Sequence, residues 1–232
     1  MRACHRYLRL AFVFAALLVI VAPGRAQAAP QVLTYRIEHP TYGAIGTYTN
    51  TITRNGDDAT VKTELRVAVK VLGITVHREE ATREEEWRDR RLIAYRSTTK
   101  GGGNTVTVTG AAQGQNFVIH SSSNGVITAP ANVHPENPWA QFLLDTDTMM
   151  ATKTGRVIHV TVKDTGEVTM EFNGRSLRVR QWSIEGDGHQ VVWIDARGVV
   201  VGFQSEEDGT PIKFVLTSAA GAPPAAPSPP QR

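Results

Sequence analysis

Val61-Lys62-Thr63-Glu64-Leu65-Arg66-Val67-Ala68-Val69-Lys70-Val71 is the stretch that decides the fold. Val61, Leu65, Val67, Val69 and Val71 alternate with Lys62, Glu64, Arg66, Ala68 and Lys70. A period of two places the first set on one face of a strand and the second on the other, so the segment is a β-strand with one buried and one wet face. Gly73 follows, then Ile74-Thr75-Val76 and a continuation towards Trp87. A single strand of that combined length would far exceed the usual range of roughly 3–10 residues, so Gly73 marks a bend, bulge or tight reversal. Arg78 to Arg91 contains Glu79/Arg83 and Glu84/Arg88 at the spacing of a salt-bridged helix, but has no apolar stripe with which a helix could dock. It reads as a long, solvated strand that runs to Trp87 and turns at Asp89-Arg90.

On either side of this stretch, turn signals recur at intervals of about ten residues, separated by runs rich in Val, Ile, Thr and Tyr. They are Asn55-Gly56-Asp57, Gly101-Gly102-Gly103-Asn104, Asn124-Gly125, Asp164-Thr165-Gly166, Asn173-Gly174, Gly186-Asp187-Gly188, Ala196-Arg197-Gly198 and Asp208-Gly209. Such spacing specifies antiparallel hairpins and leaves no room for parallel βαβ units. One region breaks the rhythm: Pro130, Pro135 and Pro138 exclude a regular strand from Ala129 to Asn137. Asn137-Pro138 has the form of a helix cap followed by proline at the first helical position, and Trp139, Phe142 and Leu143 fall at i, i+3 and i+4. A short helix over Pro138 to Leu144 is expected. The fold class is therefore all-β with one short helical insertion, a strongly curved antiparallel sheet or barrel-like meander of about a dozen strands enclosing that helix.

The ends stand apart from this domain. Arg2, Arg6 and Arg9 precede an unbroken apolar run from Leu10 to Val21, and Ala26-Gln27-Ala28 follows Pro23-Gly24. This is the order of a secretory signal peptide over 1–28, cleaved near Ala28, and the run is too short for a membrane span. The protein is thus expected in the periplasm or outside the cell, without a transmembrane anchor. The chain's single cysteine, Cys4, lies in this leader, which leaves the exported part without a disulfide or cysteine metal ligand. Residues 29–217 are expected to form one domain, and residues 218–232, with five of the twelve prolines, a disordered tail that could contact an envelope partner.

The whole 232-residue chain carries a net charge of +3, which invites a reading of nucleic-acid or anionic-membrane binding. Arg2, Arg6, Arg9 and Arg25 all lie in the leader and no acidic residue does; without it, 21 bases face 22 acids and the charge is −1. The basic excess belongs to the export signal, and nucleic acid is not an expected partner.

No motif with a catalytic or cofactor-binding mechanism is present: there is no nucleophile elbow, zinc-protease helix, phosphate-binding loop or dinucleotide fingerprint. His159 lies in an alternating strand on a solvated face, while His134-Pro135-Glu136 and His120 lack the second close pair that a metal site needs. Asp145-Thr146-Asp147 lacks the glycine of a calcium loop and reads as a helix-end turn. Glu84-Glu85-Glu86 reads as charged surface, neutralised by Arg83 and Arg88. No cofactor or metal is expected. The aromatic residues carry more information: a helix presenting Trp139, Phe142 and Leu143 to a concave sheet either plugs it or walls an apolar cavity.

The chain resembles an uncharacterised family of exported proteobacterial proteins, a domain of unknown function. The resembling stretches are Gly43-Ala44-Ile45-Gly46-Thr47, Lys70-Val71-Leu72-Gly73-Ile74, Glu86-Trp87-Arg88-Asp89, Pro130-Ala131, Pro138-Trp139, Thr154-Gly155-Arg156, Trp193-Ile194-Asp195 with Gly198, and Asp208-Gly209-Thr210. Arg90 departs from the pattern, since the family has a hairpin glycine there. The order of parts is also similar to that of the periplasmic lipoprotein carriers and receptors of the Lol pathway, in which a curved sheet encloses helices and an apolar cavity. That resemblance makes Trp87, Trp139, Phe142 and Leu143 the candidate cavity wall. The leading expectation is a non-catalytic periplasmic binding module for a hydrophobic small molecule or lipid. The alternatives are an envelope scaffold with a filled core, and a hydrolase using His134 and Glu136.

Overall fold

The computed structural model describes residues 29–221. Its first half is a run of hairpins: β1 (Gln31–His39), β2 (Gly43–Asn55), β3 (Asp58–Val71), β4 (Ile74–Arg88), β5 (Arg91–Gly101), β6 (Asn104–Gln113), β7 (Asn116–Ser121) and β8 (Gly125–Pro130). An irregular insertion follows, with β9 (His134–Pro135), a 3-10 turn at Gln141–Leu144, β10 (Thr148–Met150) and β11 (Val157–His159). The chain then resumes hairpins with β12 (Thr161–Phe172), β13 (Arg175–Glu185), β14 (His189–Ile194), β15 (Val200–Glu207) and β16 (Thr210–Ala220). Strand β16 returns to pair antiparallel with β1. The result is one 13-stranded sheet in the order β12-β13-β14-β15-β16-β1-β2-β3-β4-β5-β6-β7-β8. Its edges, β8 and β12, do not pair with each other, so the sheet curls into a barrel-like shell that stays open.

Alternation explains the inner face. Val61, Thr63, Leu65 and Val69 of β3 point into the shell, while Lys62, Glu64 and Arg66 are exposed, as the sequence pattern requires. Tyr35, Ile52, Leu92 and Ile119 from other strands join the same buried cluster. Gly73 proves to be part of a tight reversal, with Leu72 and Gly73 both at positive φ, and Asp89-Arg90 forms a second such turn at φ values of 48° and 64°. Arg90 therefore occupies a backbone position that favours glycine. Asp164-Thr165-Gly166 is the exception among the turn signals: it is a bulge inside β12, opposite Trp182 and Gln181.

The expected helix is absent. Only Gln141–Leu144 winds, as a 3-10 turn without a side-chain cap, because Ala140 occupies the cap position. Leu143 N–H bonds to the Ala140 carbonyl at 3.2 Å, and Asn137, the residue expected to cap, spends its side chain in the core. The insertion still fills the concavity: Val133, Trp139, Leu143, Leu144, Met149 and Met150 are buried in the main core. At the C-terminal side, β16 continues through Ser218-Ala219-Ala220, three residues beyond the expected boundary of the domain. Backbone pairing with Val32, Leu33 and Thr34 orders these small residues without any side-chain burial. The expected leader over 1–28 and residues 222–232 of the expected tail lie outside the described residues.

The sheet's other face carries a second, smaller core. Only Arg180 to Glu185 of β13 pair with β14, so the distal part of the β12–β13 ribbon leaves the sheet. Its tip meets the outer face, where Phe172 packs against Trp193 with ring centroids 6.0 Å apart. Asn173 Nδ2 donates to the Leu216 carbonyl at 2.7 Å, and Val179, Val191, Val201 and Val215 complete the cluster.

Candidate functional site

Strand β4 determines the site. Trp87 faces inward, and by the period of two so do Glu85 and Arg83. Glu85 is wholly buried, which overturns its reading as charged surface; Glu84 and Glu86 on the opposite face do fit that reading. A carboxylate at zero exposure needs partners for both oxygens, and the insertion supplies two of the three donors. Trp87 Nε1–H and Trp139 Nε1–H each donate to Glu85 Oε2 at 2.9 Å, and Asn137 Nδ2–H donates to Oε1 at 2.7 Å.

Asn137 extends this into a network. Its Oδ1 accepts from the Tyr48 hydroxyl at 2.7 Å and from Asn50 Nδ2 at 3.0 Å, and its Nδ2 also reaches Thr63 Oγ1 at 3.2 Å. Thr63 in turn donates to Asn50 Oδ1 at 2.7 Å. Burial pushes the Glu85 carboxyl above the ordinary carboxylate range, and the bonds from Asn137, Trp87 and Trp139 together with the nearby Arg83 guanidinium only partly reverse this. Tyr48 is pushed up to about 12, chiefly by burial, and stays a neutral donor. A further anchor lies along the sheet, where Tyr95 OH and Ser97 Oγ both donate to the Thr152 carbonyl, at 2.8 and 3.1 Å.

The four predicted wall residues come together around this network. Trp87, Trp139 and Phe142 form a mutual edge-to-face triad with centroid separations of 5.3 to 5.9 Å. The His134 ring stands 5.4 Å from Trp87. Arg54 and Arg90 lie over the Trp139 and Phe142 rings at 5.1 and 5.2 Å. Leu143 is buried beside the triad, and the gap it lines with Pro135, Asn137, Met149 and Ile184 measures about 10 Å³. That is space for no more than about one water molecule, so here the aromatic face is a plug. A larger cleft of about 330 Å³ lies elsewhere, open to solvent between Glu38, His39, Gly43, Gln204, Pro211 and Lys213.

His134 and Glu136, the expected hydrolase pair, take separate partners. His134 Nδ1 lies 3.1 Å from the Leu143 carbonyl, a bond in which the ring must donate, and burial holds the imidazole pKa below its usual value. Glu136 accepts from Gln190 Nε2 at 3.1 Å. His159 and His120 are exposed on their strands, and Asp145 closes the 3-10 turn. Among the described residues, no group of three or more His, Cys, Asp or Glu is placed to hold a metal ion.

Sequence reasoning found the aromatic residues and missed Glu85, Asn137, Tyr48, Asn50 and Thr63. The signal for Glu85 was available: if Trp87 is buried on a strand, the residue two before it faces the same way. Thr63 likewise lies between Val61 and Leu65 on the apolar face.

The geometry defines an open, barrel-like antiparallel shell whose interior is closed by its own insertion. A family model described as "Domain of unknown function (DUF6134)" matches residues 43–217, and the chain belongs to that family. A solved structure titled "Crystal Structure of Beta-barrel-like Protein of Domain of Unknown Function DUF1849 from Brucella abortus" is similar in fold, with a TM-score of 0.61 at 10% identity. The similarity covers 85% of this chain and 99% of that one. No curated protein matches the chain.

Proposed function

We propose that the protein is an exported, non-catalytic interaction module of the cell envelope, which binds with the outside of a filled shell. The observation that carries this reading is the occupied concavity. Trp139, Leu143, Met149 and Met150 stand where a carried ligand would sit, and the gap beside Leu143 and Met149, about 10 Å³, is far below the roughly 300 Å³ that a small-molecule site requires. Residues 1–28 fit a leader directing export to the periplasm, and residues beyond Ala220 fit a second contact for an envelope partner. Photo-crosslinking in intact cells tests the reading. A photoreactive residue at position 72, on the surface, should yield adducts, whereas one at Leu143, buried in the plug, should yield none; adducts from Leu143 alone would overturn it.

A second reading, a carrier for an acyl chain or other lipid, has one observation in its favour. The plug has no regular helix, and its polar attachment to β4 centres on a single carboxylate, Glu85. A ligand could take its place if the segment swung out of the open shell, exposing Trp87, Trp139, Phe142 and Leu143. Native mass spectrometry of protein purified from its own envelope without detergent separates the two. A stoichiometric lipid adduct favours the carrier, and a ligand-free mass favours the filled module.

A further inference from the structure

The antiparallel register places the β1–β2, β3–β4, β5–β6, β7–β8, β13–β14 and β15–β16 turns along one rim of the shell. Among the described residues, the exposed large hydrophobics are Tyr42, Val71, Leu72, Ile74, Val76 and Val126. All six lie at turns of this rim: Tyr42 in β1–β2, the next four around β3–β4, and Val126 at the start of β8. Scattered exposed apolar residues need no explanation, but a set confined to one rim does.

The β3–β4 hairpin carries four of the six. Pairing of β3 with β2 ends at Val67, and pairing of β4 with β5 begins at Glu79. Residues 68 to 78 therefore pair only with one another, as a two-stranded ribbon in which Val69 still packs into the core and Val71 to Val76 are exposed. Leu72 at its tip is 98% exposed and held at a φ of 50°, a conformation that bulky residues rarely adopt. The β12–β13 ribbon, which also leaves the sheet, buries its Phe172 against the outer face, whereas Leu72, Ile74 and Val76 of the β3–β4 tip stay exposed among the described residues.

Charge distinguishes the occupants that could cover it. Residues 68–78 include Lys70, His77 and Arg78 and no acid; the first acids are Glu79, bonded to Lys153, and Glu80, paired with Arg78 at 3.3 Å. The acidic turn Glu206-Glu207-Asp208 lies on the same rim between β15 and β16, with Glu207 in electrostatic reach of Glu79 and Lys153 at the base of the ribbon rather than of its apolar tip. An apolar point with the Lys70 cation just behind it, and the Arg78–Glu80 pair further back, matches the layers of a bilayer, hydrocarbon beneath anionic headgroups. The apolar residues at three separate turns fit a planar surface better than a groove in a protein, which would receive one point.

We propose that the β1–β8 arc of this rim docks on a lipid bilayer, with Leu72 and Ile74 entering the acyl layer, Lys70 at the headgroups, and Tyr42 and Val126 as shallower contacts. This rests on the reading that the protein binds through its outer surface, and it names the surface's partner. The test is flotation of the mature chain with phosphatidylethanolamine vesicles containing about a quarter phosphatidylglycerol. The unaltered protein should float, and the Leu72→Asp/Ile74→Asp double variant should bind at least about tenfold more weakly while melting at the same temperature. A Leu72→Trp variant should show blue-shifted emission on adding the vesicles, quenched by brominated acyl chains. Failure of the unaltered protein to float, equal flotation of the double variant, or an unshifted Leu72→Trp spectrum would each overturn bilayer docking. If flotation fails while position 72 still crosslinks a protein, docking on lipid falls and the surface-binding reading stands; crosslinks from Leu143 alone would overturn that reading independently.

Discussion

Replacing Glu85 by glutamine tests the hydrogen-bond network most sharply, because Glu85→Gln preserves volume and changes only the chemistry of two atoms. The carboxylate accepts three hydrogen bonds, two at Oε2 and one at Oε1. An amide offers one oxygen. If that oxygen faces the indoles of Trp87 and Trp139, the new NH2 meets Asn137 Nδ2, donor against donor. Flipping the Asn137 amide only moves the mismatch to Asn50 Nδ2, which now donates to Asn137 Oδ1. At least one buried N–H or O–H is left without an acceptor, a penalty of about 1–3 kcal/mol. The remaining bonds also weaken from charge-assisted to neutral, by about 0.5–1 kcal/mol each. Relief of the buried charge offsets part of this. The expected net loss is about 2–3 kcal/mol, or a fall in Tm of roughly 4–12 °C for a domain of this size. Urea unfolding followed by tryptophan emission measures it, with Glu84→Gln and Glu86→Gln on the exposed face as controls. A Glu85→Gln value within about 0.5 kcal/mol of those controls would refute the reasoning.

Four further outcomes follow from the same structure. The Glu85 pKa is raised in the folded state, so its contribution to stability is fully present below the ordinary carboxylate range and declines as pH rises through the folded value. The stability advantage of the unaltered protein over Glu85→Gln should therefore shrink as pH rises from about 4, and a constant or growing advantage in matched urea titrations contradicts this. Trp139→Ala should cost about 3–5 kcal/mol in the same assay, since it removes both a core ring and a donor to Glu85, and a loss below about 1 kcal/mol would mean the plug is not part of the core. Gly202→Ala should destabilise by about 1–3 kcal/mol in thermal melts, because its Cβ would lie 2.9 Å from the Phe172 ring and from the Phe214 carbonyl oxygen; an unchanged Tm would show that the β12–β13 tip is not seated there. Arg90→Gly should stabilise by about 0.5–1 kcal/mol by relieving a positive φ, and a clear loss in denaturant midpoint would mean that the cation over Phe142 outweighs the strain.

Much of the fold was legible because it rests on local chemistry. The alternation from Val61 to Val71, the reversal at Gly73 and the turn at Asp89-Arg90 each follow from side-chain period or backbone preference. The insertion was harder. Trp139, Phe142 and Leu143 have helical spacing, yet Asn137 gives its side chain to Glu85 and Tyr48, and the three prolines hold the segment in extended and 3-10 forms. Tertiary hydrogen bonding outweighed local propensity there. The outer core around Phe172 and Trp193 was illegible for a similar reason, since both faces of β14 are buried and alternation carries no sign of it. At the site, the grouping of Trp139, Phe142 and Leu143 was readable from their spacing, while Trp87 joined them only through the resemblance to the lipoprotein carriers. The polar network beneath it depends on contacts between residues as distant in sequence as Tyr48 and Asn137.

The central claim is that residues 131–160 are a permanent part of the core and leave the shell no interior site. Hydrogen–deuterium exchange of the mature chain, with and without a long-chain fatty acid, tests it most directly. The amides of Glu136, Leu143 and Val160, which bond to Met150, Ala140 and Asp147 carbonyls, are the reporters. The account predicts that they exchange about as slowly as the central strands β1 to β3 and do not respond to the fatty acid. Exchange orders of magnitude faster than in those strands, or opening of the segment when the fatty acid is added, would contradict it.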